Sequence, residues 1–130
     1  MSRTEARELL MQAVFQMEAQ HNQTKEQLDL FLADKKLSVK DRLYIENTFA
    51  TMCDKLAEVD ELINENSKNW KVSRMPKADL AILRLAVCEA KYCDDIPAAV
   101  AVNEAVNMAK KYCGDKAPGF INGILGSIIK

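Results

Sequence analysis

Two guanidinium groups and one aromatic ring share a ridge near the start of the chain. Arg3, Arg7, Met11 and Phe15 follow one another at intervals of four in RTEARELLMQAVFQM. In the same stretch Ala6, Leu9, Leu10, Ala13, Val14 and Met17 recur at three- and four-residue spacing, which predicts one inward apolar stripe of a helix. At about 100° per residue, Phe15 lies roughly 170° from the centre of that stripe. Cations followed by an outward ring suit single-stranded RNA, because the cations hold phosphates while the ring stacks a base. The competing reading buries Phe15 under a second layer of the fold, and this helix alone does not choose between the two.

A second group of chemistry-bearing residues lies in the middle of the chain. Lys68, Lys71, Arg74 and Lys77 surround Trp70, so basic and aromatic residues alternate there as they do in nucleic-acid-binding segments. Trp70 is also a natural plug for a hinge. Asp79 follows two residues after Lys77. It is either a partner of the helix dipole or an acceptor for a base edge or a partner protein. Residues 1–67 hold 8 Lys/Arg and 13 Asp/Glu, a net of −5, while residues 68–130 hold 10 and 6, a net of +4. The overall charge of −1 therefore hides a basic half whose excess centres on residues 68–91.

Enzyme chemistry finds little support. The single histidine, His21, sits in a polar turn without a sequence partner. Phosphate-binding loops, dinucleotide fingerprints, nucleophile elbows and metal-ligand spacings do not occur. The paired carboxylates Asp94–Asp95 and Asp60–Glu61 fall at helix ends or on polar faces. Cys53, Cys88, Cys93 and Cys113 have neither metal spacing nor the density of a disulfide scaffold, and read as small hydrophobes. No cofactor, metal or catalytic residue is expected. No apolar run reaches the length of a membrane span or forms a signal-peptide core, so a cytoplasmic protein is expected.

The elements that must position these residues are all helical. Hydrophobic residues make up 48% of 130, enough for a single domain with a real core. A first helix is predicted over Arg3 to Ala19, capped by Ser2. TKEQ (Thr24 to Gln27) opens a short second helix and SVKD (Ser38 to Asp41) a long third one, continuous to about Glu65. Leu43, Phe49, Met52, Cys53, Leu56, Val59 and Ile63 are its expected inward stripe. NENSKNWKVSRMP is a connector between two sub-bundles, about 1–67 and 74–130. PKADLAILRLAVCEAKY is apolar almost all round and belongs at the centre of the molecule. A proline-started helix reaches about Tyr112, CGDKAPG is a loop, and the last helix buries Phe120, Ile121, Ile124, Leu125 and Ile128. Gly123 and Gly126 are expected to allow close helix contact.

DLAILRLAVCEA, DIPAAVAVNEAVNMAKKY and FINGIL, in this order, resemble the NusB family of bacterial transcription antitermination factors, and RELLMQAVFQ resembles the family's first helix. The resemblance spans nearly the whole chain. It implies an all-α fold of two packed sub-bundles forming one RNA-binding domain. It further implies binding to the boxA element of ribosomal RNA transcripts together with NusE, a small-subunit ribosomal protein, and assembly with NusA, NusG and RNA polymerase. On that resemblance the start of helix 1, Phe15 and Asp79 belong to the RNA and partner surface. Arg84, Glu89, Asn103 and Glu104 match family positions and read as internal ion pairs and hydrogen bonds.

Two departures modify the expectation. The N-terminal arginines of the family are reduced here to Arg3 and Arg7, which predicts weak RNA affinity alone and strong dependence on NusE. Lys116 stands near where relatives often carry an acidic residue and replaces part of the missing charge. The expected RNA-binding residues are therefore Arg3, Arg7, Phe15, Arg74, Lys77, Asp79 and Lys116. Asp79 and Phe120 are the expected partner contacts, although core packing is the reading Phe120's neighbours favour. The alternative function is an adaptor of the same fold that binds protein only, including as a homodimer.

Overall fold

In the computed structural model, which describes residues 1–129, the chain forms seven α-helices. They are α1 (Arg3–Ala19), α2 (Lys25–Leu32), α3 (Val39–Asp54), α4 (Leu56–Asn66), α5 (Lys77–Tyr92), α6 (Ala98–Tyr112) and α7 (Ala117–Ile128). A single 3-10 turn, Val72–Arg74, interrupts the connector before α5. Ser2, Thr24 and Ser38 each accept a bond from the backbone N–H three residues on, and Glu5 returns the bond to Ser2, completing a capping box. At the other end of α1, His21 adopts a left-handed φ of 54°. There the amides of His21 and Asn22 reach back to the carbonyls of Glu18 and Met17, which closes the helix.

α5 is the axis of the molecule. Every residue from Asp79 to Glu89 is buried, and the helix packs against α1, α3, α4, α6 and α7. α1 in turn packs against α2, α3 and α5, so it buries two sides rather than one. Arg7 and Met11 are covered along with the apolar stripe, and Phe15 alone of the ridge's apolar residues stays exposed.

The expected long third helix is broken at Lys55, which ends α3 and begins α4. Neither glycine nor proline marks the break. One turn earlier the Thr51 hydroxyl donates to the Asn47 carbonyl at 3.0 Å, a local bond that bends helices. The bend also sends the two pieces to different neighbours, α3 to α1 and α5, α4 to α5 and α7. Leu43 and Cys53 are exposed, whereas Tyr44, Ile45 and Thr48 join Phe49 and Met52 inside. Gly123 and Gly126 face open space, and a Cβ added at either would touch nothing, so close helix contact is not their role.

At the centre a polar network replaces apolar packing. Glu89 is 0% exposed; it accepts from Arg7 Nε at 2.8 Å and from the Tyr44 hydroxyl at 2.6 Å. Arg7 Nη1 also lies 3.2 Å from Glu104, which accepts from the Thr4 hydroxyl at 2.7 Å. Arg84 makes a two-point contact with Asp60, both distances 2.8 Å, and reaches Glu18 at 3.2 Å. Burial works against the Glu18 carboxylate, but Arg84, with Gln23 and Lys77, more than offsets it and holds the group below its ordinary pKa. The stability from that pair is thus complete at neutral pH and lost as acid carries the group through its lowered value. Arg84, Glu89 and Glu104 are internal partners as expected, whereas Asn103 is exposed. Removing one member of a buried pair strands the other, so Glu89→Ala is expected to lower unfolding free energy by about 3–5 kcal/mol. Lys25→Ala, at an exposed pair with Asp29, is expected to leave stability almost unchanged. Urea titration of both variants checks the contrast.

Candidate nucleic-acid interface

The sequence-predicted residues fall into three places. The first is the start of α1. Arg3 lays its guanidinium over the Tyr44 ring, 4.1 Å from the centroid, at the edge of a cleft shared with Lys40, Asn47 and Asp94. Arg7, expected to hold phosphate, is 3% exposed and fully engaged with Glu89 and Glu104. That expectation is corrected: freeing the Arg7 side chain for RNA would leave the buried Glu89 carboxylate without its cation.

The second place is the C-terminal end of α1. Phe15 is 40% exposed. On the adjoining face, Gln12 donates to the Tyr112 hydroxyl at 3.1 Å, and Glu8 takes Lys111 at 2.9 Å and the Tyr112 hydroxyl at 3.1 Å. These bonds fix the end of α6 against α1 and leave the Tyr112 ring 37% exposed. One turn beyond Phe15, Glu18 lies 3.9 Å from Lys77, so the start of α5 borders the same surface.

The third place is a cavity of about 540 Å³ between the connector and the start of α7. Asp79, Lys116 and Phe120 meet there with Trp70, which is 45% exposed. The Trp70 and Phe120 rings stand edge to face with centroids 5.6 Å apart. The connector holds Trp70 firmly. Its carbonyl accepts from the Ser67 hydroxyl, Lys71 Nζ donates to the Asn64 carbonyl at 2.8 Å, and the Val72 amide donates to Asn64 Oδ1 at 2.8 Å. Asp79 is only 6% exposed, in the first turn of α5. Arg74 is exposed in the turn just before α5. Phe120 is half-buried: it packs against the core and still faces the cavity.

The structure therefore unites Asp79, Lys116 and Phe120 at one cavity, sets Lys77 at the start of the same helix as Asp79, and leaves Phe15 on α1 and Arg3 at a different cleft. Sequence reasoning passed over Tyr112 and left Trp70 between a nucleic-acid-binding cluster and a hinge plug. An aromatic residue following Lys110 and Lys111 at a helix end was the available signal for Tyr112. No group of His, Cys, Asp and Glu able to hold a metal ion occurs among the described residues, and none of their helices is long and apolar enough to cross a membrane.

Exposed aromatic rings among cations, carried on an all-helical frame, define a binding domain. The sequence matches the NusB family over residues 4–130. It is 44% identical over 130 residues to the transcription antitermination protein NusB of Acetivibrio thermocellus, covering all of this chain and 90% of that protein. The solved structure of T. maritima NusB superposes with a TM-score of 0.92 at 28% identity, covering 99% of this chain and 91% of that one. The NusB of a complex of NusB and NusE with double-stranded RNA shares the fold, with a TM-score of 0.87 at 21% identity over 99% and 98% of the two chains. The chain belongs to the NusB family, and the curated relatives it matches are transcription antitermination proteins.

The cavity makes its own prediction. Burial and the neighbouring Asp79 carboxylate push the Cys113 thiol up to about 12. Asp79→Asn removes the charge, so the thiol pKa falls and the thiolate fraction at pH 8 rises. Alkylation of Cys113 by iodoacetamide, followed by mass spectrometry, is expected to run severalfold faster in Asp79→Asn. An unchanged rate would separate the two side chains.

Proposed function

We propose that this chain is a transcription antitermination factor that binds boxA RNA together with NusE and works with NusA, NusG and RNA polymerase in the bacterial cytoplasm. The observation that carries the reading is the cavity at which the exposed Trp70 ring meets Phe120, Asp79 and Lys116, with Lys77 exposed at the start of α5 beside it. Stacked bases need such rings, and phosphates need such cations. Family membership and the NusB–NusE–RNA neighbour support the same reading.

Because Arg7 is withdrawn into the core, Arg3 is the one N-terminal guanidinium near solvent, and phosphate binding shifts to Arg74, Lys77 and Lys116. Affinity for RNA alone is therefore weak, and NusE supplies the remainder. The same withdrawal favours a second reading, a protein-only adaptor or homodimer in which Asp79 and Phe120 meet the partner.

Titration of fluorescently labelled boxA RNA, with and without NusE, tests both. Phe15→Ala is expected to weaken RNA binding by about 1–3 kcal/mol without changing the melting temperature. Lys116→Gln and Arg74→Gln are each expected to lower the slope of log affinity against log salt by about 0.7. Absence of RNA binding at low salt, even with NusE present, would establish the adaptor.

A further inference from the structure

Cys88 and Cys93 stand five residues apart at the C-terminal end of α5, and the fold brings their sulfurs into hydrogen-bond contact. Both thiols are free. Cys88 is 0% exposed and otherwise faces only the Thr48 carbonyl, a weak contact at 4.0 Å. Cys93 closes the helix in an extended conformation, φ −113° and ψ 96°. It is partly exposed and lines a cleft of about 420 Å³ that Arg3, Lys40 and Asp94 also border. One sulfur of the pair is thus sealed in the core, and the other is open to a small solute.

We propose that the pair is a peroxide-reactive site: Cys93 is oxidised to a sulfenic acid, and Cys88 condenses with it to a disulfide that opens the last turn of α5. In the first step the Cys93 thiolate attacks one oxygen of hydrogen peroxide. An S–O bond forms as the O–O bond breaks, the sulfur loses two electrons, and the departing hydroxide takes up the thiol proton as water. In the second, Cys88 Sγ attacks the Cys93 sulfur, and the hydroxyl leaves with the Cys88 proton as a second water. Burial keeps the oxidant from Cys88, so the order is fixed.

The other thiols lack this arrangement. Cys53 is exposed, but desolvation raises its thiol and no donor offsets that; burial and Asp79 push Cys113 up to about 12. Cys93 is shifted the opposite way, because the Cys88 S–H favours its thiolate over the opposing charges of Glu89, Asp94 and Asp95. Five residues of α-helix rise about 7.5 Å, beyond the Cα separation of about 7 Å that a disulfide spans. The link therefore forms only if the turn between the two cysteines unwinds. That turn carries Glu89, the anchor of Arg7, and Tyr92, whose hydroxyl donates to Glu58 at 3.1 Å.

The experiment treats the full chain with hydrogen peroxide. Lys91 lies between the two cysteines, so trypsin places them on separate peptides and a disulfide appears by mass as a linked pair. That pair is expected in the unaltered chain and is expected to separate in dithiothreitol. Hydrogen exchange at the amides of residues 89–93 is expected to quicken at least about tenfold on oxidation. Cys93→Ala is expected to abolish the link, and Cys88→Ala to leave a sulfenic acid at Cys93 that dimedone traps. Cys53→Ser and Cys113→Ser are expected to leave the link in place. Absence of the linked pair in the unaltered chain overturns the proposal, whatever the variants do. Dimedone labelling of Cys53 ahead of Cys93 overturns it as well, and a link with unchanged exchange overturns the opening of α5.

Discussion

The Glu89 carboxylate has no contact with solvent, and the centre of the molecule is arranged to give it hydrogen-bonding partners. Arg7 comes to it from α1 and Tyr44 from α3, and Glu104 of α6 shares the guanidinium. One buried charge thus ties four helices at a single point. Apolar side chains would fill the same volume, and buried ion pairs are not in themselves a strong source of stability. What the network does is fix register. α1 cannot slide or rotate on α5 without stranding a charge, and that fixed rotation decides which residues of α1 face outward.

Phe15 owes its exposure to this constraint. With Arg7 and Met11 turned inward, the residue four positions on from Met11 comes out where α1 runs past the end of α6. The second polar knot, Arg84 with Asp60 and Glu18, plays the same part at the other end of α1 and sets α4 against α5. Two internal ion networks therefore orient the helices, and the proposed interface is assembled from what they leave outside. Its walls come from separate segments: α1 gives Phe15, α6 gives Tyr112, the connector gives Trp70 and α7 gives Phe120.

Much of this was legible in the sequence, and the misses have definite causes. The α1 boundaries follow from Ser2 and Glu5 alone, because a capping box is local chemistry. The centrality of α5 follows from an apolar surface with few polar breaks. Arg7 was misread because helical periodicity reports one stripe, and α1 carries two buried sides; the second exists only once α3 and α5 are in place. The break at Lys55 was invisible because both pieces share one hydrophobic phase, and their separation serves packing against different neighbours. The polar residues at the centre were read correctly where charge forced the issue, at Arg84, Glu89 and Glu104. Asn103 carries no charge, so nothing obliged it to find a partner inside.

The burial of α5 on every side also bears on how the chain acquires its shape as it leaves the ribosome. The first 66 residues include four helices, and the partner that α1, α3 and α4 have in common lies further along, at 77–92. Until that segment emerges, Arg7 has no Glu89, and the apolar stripes of the early helices stay open to water. α1 can already meet α2 and α3, but the core those helices share is closed only by the later segment. Closure arrives late, and for the whole chain together.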